Sequence, residues 1–225
     1  PLTFNHTPDG RRIAMGWMNN WEYGQAIPTS IWRSKMTIPK ELNLKSISNL
    51  GVRLVQTPVS ELQSLRGEES YWTNEVVAPG ENLLSGVKGD TLEIVAEFQT
   101  DQSTAKEFGF KVRVGNDEFT KVSYDMTSST LSLDRSNSGD TSFSNSFGAK
   151  HEVVMMPSDE LVTLHLLVDR SSIEVFGNDG QVVFSDQIFP NLTSDQVELY
   201  AIDGEVTMKS LAIYQLNKAS MINGN

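Results

Sequence analysis

The chain has 225 residues, a mass of 25.0 kDa, 38% hydrophobic and 21% charged residues, a globular rather than a disordered composition. A net charge of -11 and a pI near 4.7 give nucleic acid no basic face and set the chain against anionic membrane surfaces. The absence of cysteine excludes disulfides, thiolate catalysis and Cys-type zinc sites, and three scattered histidines (His6, His151, His165) argue against a His-rich metal site.

The start, Pro1–His6, has neither the charged n-region nor the apolar h-region of a signal peptide, and no run of about 18 apolar residues exists to cross a membrane as a helix. The chain begins without Met and is expected to be a mature, processed or partial chain.

In chain order, Leu2–Asn5 and Arg12–Met18 flank the turn signal Thr7-Pro8-Asp9-Gly10 and predict a hairpin. An aromatic and amide-rich stretch, Asn19-Asn20-Trp21-Glu22-Tyr23-Gly24, follows, then Pro28 and a strand-like 31–38. Pro39-Lys40-Glu41-Leu42 marks a change of texture, with a linker expected over 39–51. Val59–Arg66, apolar at 59, 62 and 65, reads as one or two helical turns.

Beyond this the period is two. Leu92, Ile94, Ala96 and Phe98 alternate with polar neighbours, as do Phe108, Phe110, Val112 and Val114, and Val162, Leu164, Leu166 and Val168. Further strands are expected at 119–125, 172–177, 181–189, 197–202 and 205–216. Turns rich in Asn, Asp and Gly separate them: Gly115-Asn116-Asp117, Asp169-Arg170-Ser171, Asn178-Asp179-Gly180 and Asp203-Gly204. Such spacing predicts an antiparallel sandwich or barrel, and a polar tail is expected at 218–225.

The first piece poses a physical problem. A lone hairpin is marginal in water. Yet Trp17, Trp21, Tyr23 and Trp32 fall within 16 residues, and burying such rings is worth roughly 1.5–3 kcal/mol each. This segment is therefore expected to pack against something outside the sequence.

Two stretches carry a resemblance. Gly16–Gly24 (GWMNNWEYG), followed by Ile27–Ser34 (IPTSIWRS), resembles the end of the catalytic propeller of glycoside hydrolase family 32, the invertases, inulinases and levanases. Leu54–Val59 (LVQTPV), Val168–Phe176 (VDRSSIEVF), Asn178-Asp179-Gly180 and Ile188-Phe189-Pro190 resemble its second domain. The resemblance implies an all-β fold: an antiparallel β-sandwich (52–217) preceded by the last strands of a five-bladed β-propeller (1–38). It also implies a secreted enzyme that cleaves β-fructofuranosyl bonds of fructans (levan, inulin) or sucrose with retention, without a cofactor.

Retaining hydrolysis needs two carboxyl groups about 5–5.5 Å apart. The family's nucleophile, transition-state stabiliser and acid/base lie in Asp-Pro-Asn-type, Arg-Asp-Pro and Glu-Cys-type motifs. This chain has no Asp-Pro pair and no cysteine, so no catalytic residue is assigned. The missing propeller, on the same chain or a split partner, is expected to carry them, leaving the 225 residues inactive alone.

Within the chain, Trp21 and Asn20 are the expected substrate-binding residues, because the family lines its fructose pocket with a tryptophan near this point. Trp17, continuing Ile13-Met15-Trp17, is expected in the blade core. Glu22 is set aside as an acid, since the family's acid belongs to another motif. Glu93 and Glu97 are expected on a solvated strand face, and Asp134 and Asp169 in strand-end turns. Asp134–Asp140 has oxygens at positions 1, 3 and 5 of a calcium loop, but Asn145 stands where a bidentate Glu belongs, so no metal is assigned. Asn5-His6-Thr7 and Asn191-Leu192-Thr193 are glycosylation sequons only in a eukaryotic host. The competing function is a non-catalytic carbohydrate-binding or assembly module.

Overall fold

The computed structural model describes residues 1–48 and 50–219; most of the expected polar tail lies outside these described residues. Among the described residues, fifteen strands form three antiparallel sheets. The first sheet joins, in order, β1 (Leu2–Phe4), β2 (Ile13–Met15), β3 (Lys40–Ile47) and β4 (Gly51–Pro58). A short 3-10 helix, Ser60–Leu65, occupies the predicted helical turn. The strands that follow are β5 (Arg66–Val77), β6 (Leu92–Gln99), β7 (Glu107–Val114), β8 (Thr120–Asp125), β9 (Thr130–Asp134) and β10 (Lys150–Val154). The last are β11 (Leu161–Asp169), β12 (Ser172–Gly177), β13 (Val182–Gln187), β14 (Gln196–Ile202) and β15 (Val206–Leu216). They make a six-stranded sheet, β13-β12-β11-β6-β15-β5, and a five-stranded sheet, β10-β9-β8-β7-β14.

These two sheets close on the predicted apolar faces. Leu92, Ile94, Ala96 and Phe98 of β6 are fully buried, as are Phe108, Phe110 and Val112 of β7 and Leu164 and Leu166 of β11. Phe98 packs at 4.6 Å from Phe108, and Phe108 at 5.5 Å from Tyr124, centroid to centroid. The period-two pattern is thus the imprint of a two-layer core.

The structure corrects several expectations. Val114 does not continue the buried face of β7: the register slips between Gln196 and Glu198, and Arg113 adopts φ 54°. This bulge turns the Arg113 side chain inward, where Nε, Nη1 and Nη2 donate to the carbonyls of Ser194, Asp90 and Asn191. Residues 39–51 are not a linker. Lys40–Ile47 is a strand between β2 and β4, and 52–58 also belongs to the first sheet.

Residues 31–38 form no strand of their own. Met18 N–H donates to Lys35 O, and Thr37 N–H to Gly16 O, around a single Trp17–Met36 bridge. Local bonds bind the preceding segment into a loop: the Arg33 guanidinium donates to Thr29 Oγ1, and Thr29 Oγ1 to Trp32 O.

Glu93 is not solvated. Its carboxylate is 3% exposed and receives Arg66 (2.7 and 2.9 Å) and His165 Nε2 (2.7 Å). Burial alone would raise this carboxyl, but the bonds from Arg66 and His165 outweigh it and hold it at about 2. β5, which presents Arg66, runs antiparallel to β15 at the sheet edge.

The first sheet is fastened to the sandwich. Lys40 Nζ meets Glu174 Oε2 at 2.7 Å with both side chains buried, and the other oxygen accepts the Ile38 amide at 2.6 Å. Ser185 Oγ donates to the same carboxylate at 2.7 Å. Gln56 N–H donates to Gly180 O at 3.0 Å. Gly180 has φ 82°, and a Cβ there would strike the Gln56 backbone, so the turn residue and the contact require glycine together.

Candidate functional site

The segment 16–34 leaves β2, turns over the sandwich and returns. Asn19 and Asn20 shape the turn. Asn19 Oδ1 accepts the Asn20 amide and Asn20 Oδ1 accepts the Glu22 amide, both at 2.9 Å. Gly24 N–H closes on Asn20 O at 2.7 Å, and a Cβ on Gly24 would stand 2.8 Å from that oxygen. This tight turn lifts Trp21 outward to 91% exposure, against Trp17 at 4.9 Å and 52° between rings. Trp17 Nε1 donates to Ser34 Oγ at 2.9 Å. The result is a tilted two-ring shelf with Asn20 at its rim.

Trp21 and Asn20 therefore lie together on one exposed turn. The Asn20 amide oxygen is committed to the turn, while its amide nitrogen has no hydrogen-bond partner among the described residues. An aromatic face beside an amide donor is what a sugar ring with hydroxyls requires.

Trp17 departs from the blade-core expectation: it is 37% exposed, while Ala14 in β2 and Met18 beyond its end are buried. Nor does the whole aromatic group await an external partner. Tyr23 and Ile27 form a cluster with Phe147, and Trp32, Phe143 and Phe189 pack against it. Tyr23 is edge-on to Phe147 at 5.6 Å. No local pattern in the sequence signals this anchor, because its other half lies more than a hundred residues away.

The acids take local duties. Glu22 accepts the Ser146 hydroxyl at 2.5 Å. Asp134 Oδ1 accepts the Ser136 amide at 2.9 Å. Asp169 accepts the Arg170 amide and pairs with Lys35 Nζ, both at 2.7 Å. Asp140 Oδ1 accepts from Ser142, and Ser138 Oγ donates to Arg135 O, so the 134–140 loop spends these oxygens on its own turns. Asn191 Nδ2, in the second sequon, donates to Glu118 at 3.0 Å.

The fold and the shelf define a two-part all-β protein: an antiparallel sandwich carrying the end of a second sheet system with an aromatic turn. Comparison with known proteins then gives the family. The model for the C-terminal domain of glycosyl hydrolases family 32 matches residues 61–215, and that for the family's N-terminal domain matches 1–58. The chain belongs to glycosyl hydrolase family 32.

It is 48% identical over 212 residues to the levanase of Bacillus subtilis, covering 93% of this chain and 31% of that one. It is 35% identical over 196 residues to an extracellular exo-inulinase of Aspergillus niger, covering 85% and 36%. The crystal structure of the Aspergillus awamori exo-inulinase superposes with a TM-score of 0.81 at 32% identity, over 92% of this chain and 41% of that one. The chain thus spans about a third of the length of the curated relatives it matches.

Proposed function

We propose that this chain is the C-terminal part of a secreted glycosidase that hydrolyses β-fructofuranosyl bonds in levan, inulin or sucrose with retention. Residues 1–58 are the last sheet of the catalytic propeller, 59–65 the connector and 66–216 the sandwich. Trp21 and Asn20 form part of the pocket wall, with the ring stacking on a fructosyl unit and the amide donating to its hydroxyls. The carboxylates that break the bond belong to the propeller portion preceding this segment, through a covalent fructosyl–aspartate.

The observation that carries this reading is the Trp17–Trp21 shelf, held on a turn within a segment matched by the family's catalytic-domain model. Its supporting context is the extracellular exo-inulinase and the levanase, each about three times as long as the matched segment. The purified 225-residue chain is expected to release no fructose from levan, inulin or sucrose. The same chain joined to its propeller portion is expected to do so, and to lose substrate affinity on Trp21→Ala. Fructose release by the short chain alone would sink the division of labour. An unchanged KM in Trp21→Ala would sink the pocket assignment.

A further inference from the structure

We infer that the sandwich sets the position of the Trp21 turn through a clasp between Arg135 and Tyr23, making these two positioning residues for the fructosyl substrate. This rests on the reading of Trp21 as pocket wall. It adds a task for the sandwich: the second domain braces one side of the first domain's binding site.

Arg135 ends no ordinary ion pair. Its side chain is 7% exposed, and the nearest carboxylate oxygen, Asp186 Oδ1, stands 3.8 Å away. The other oxygen of Asp186 lies 2.9 Å from His151 Nδ1 without an aligned hydrogen bond. A guanidinium buried with so distant a counterion is costly unless other groups satisfy it. Here Nη1 donates to Gln187 O at 3.2 Å and Nη2 to Tyr23 Oη at 3.1 Å. The guanidinium lies 4.3 Å from the Phe147 ring centroid. Nε has no partner among the described residues. Much of what offsets the burial of this charge therefore comes from the Phe147 ring and from a tyrosine of the other region.

Tyr23 is the matching half. It is 7% exposed, edge-on to Phe147 and Phe143, with its hydroxyl directed to Arg135. Three consecutive residues divide the work of the turn. Trp21 faces solvent, Glu22 accepts the Ser146 hydroxyl, and Tyr23 enters the sandwich. The backbone bonds Gly24 N–H to Asn20 O and Ala26 N–H to Tyr23 O link anchor and shelf in one stiff turn. Displacing the anchor displaces the shelf, and small misplacements of a positioning element are costly to an enzyme. In this reading the clasp acts on a binding surface and on no reacting group, so loosening it removes binding felt equally in ground and transition states: KM rises and kcat holds.

Two mild variants test this: Tyr23→Phe keeps the ring and removes the hydroxyl, and Arg135→Lys keeps the charge and removes the fork. In the 225-residue chain, amide exchange read by NMR should quicken about fivefold at Gly24 and Ala26 while β11 amides are unaffected. In the full-length enzyme with sucrose as probe, each variant should raise KM about five- to tenfold with kcat within about twofold, and the double variant no further than the larger single effect. Arg66→Met, which loosens the Glu93 cluster elsewhere in the sandwich, should lower the melting temperature without moving KM, which separates positioning from general softening. Unchanged exchange and unchanged KM in both variants would overturn the clasp. If Trp21→Ala raises KM while Tyr23→Phe and Arg135→Lys do not, the clasp falls and the pocket reading stands. If Trp21→Ala leaves KM unchanged, the pocket reading falls and the kinetic role of the clasp falls with it.

Discussion

The sandwich and the first sheet treat apolar surface in opposite ways. In the sandwich, the inward positions of β6, β7 and β11 are buried to the last atom. In the first 58 residues, Leu2 is 75% exposed, Phe4 52%, Trp21 91%, Ile31 92% and Leu44 74%. One region is stabilised by its own two layers. The other owes its order to contacts with the first: the Lys40–Glu174 pair, the Gln56–Gly180 bond and the Tyr23 cluster. Within this chain, the turn that carries Trp21 is held by the sandwich.

The sharpest way to break this contrast is a truncation on each side. Phe98→Ala opens a cavity beneath Phe108 and Phe110 and is expected to cost about 4 kcal/mol, lowering the thermal midpoint by roughly 10 °C. Leu44→Ala, on the exposed face of β3, should stay within about 0.5 kcal/mol. Denaturant unfolding of both variants measures the difference. Equal effects would show that the two regions are not stabilised differently.

The next test severs the joint itself. Lys40→Met leaves the Glu174 carboxylate buried with only the Ile38 amide and Ser185 hydroxyl, and should cost about 3 kcal/mol. Because the lost bond spans the two regions, limited proteolysis should strike within 35–58 well before the sandwich. Adding Glu174→Gln removes the orphaned charge but keeps an acceptor, and should recover about half of the loss.

This joint also marks how far the sequence could be read. Strands of the sandwich were legible because alternation records which side chains face the opposing layer. The edge strand β5, with Glu68, Glu69 and Glu75 facing solvent, carries no such record. Alternation also placed Glu93 on the polar face of β6, which is correct as to direction and wrong as to solvent. The polar face there is roofed by His165 from the adjacent β11 and by Arg66, which reaches across β15 from β5. Arg113 was hidden for a related reason: a one-residue bulge turned it inward, and bulges leave no periodic trace. At the site, the Trp21 and Asn20 positions were legible through local turn chemistry and the family resemblance. Tyr23 and Arg135 were not, since a contact across 112 positions has no local signature.

Glu93 offers a smaller effect with a definite pH window. Its carboxyl is depressed from an ordinary 4.5 to about 2 in the fold, so it contributes stability fully above pH 4.5. That contribution is lost as the pH falls from 4.5 towards 2, on the order of 2 kcal/mol. Stability measured in urea between pH 6 and 2 should fall along this range, and Glu93→Gln should flatten that part of the profile. A variant with the wild-type slope would mean that other carboxylates dominate acid unfolding.

The smallest effect concerns His151, beside the clasp, and it has the opposite sign. Its pairing with Asp186 raises the imidazole above its ordinary 6.5, and partial burial opposes this less strongly. A raised pKa contributes stability that is complete below pH 6.5 and is lost as the pH climbs through the folded value. The side chain is 40% exposed, so solvent screens the pair and the change should be well below that of Glu93. An NMR titration should place His151 above 6.5, and Asp186→Asn should return it towards that value. Charged His151 stands 2.9 Å from Oδ2 of the same carboxylate whose Oδ1 is the nearest counter-charge to Arg135. Deprotonating His151 at higher pH therefore leaves Asp186 more fully to Arg135. If the clasp feels this exchange of partners, the Gly24 and Ala26 amides should shift with the His151 midpoint. If they follow no midpoint, the Arg135–Tyr23 bond is indifferent to its carboxylate neighbour.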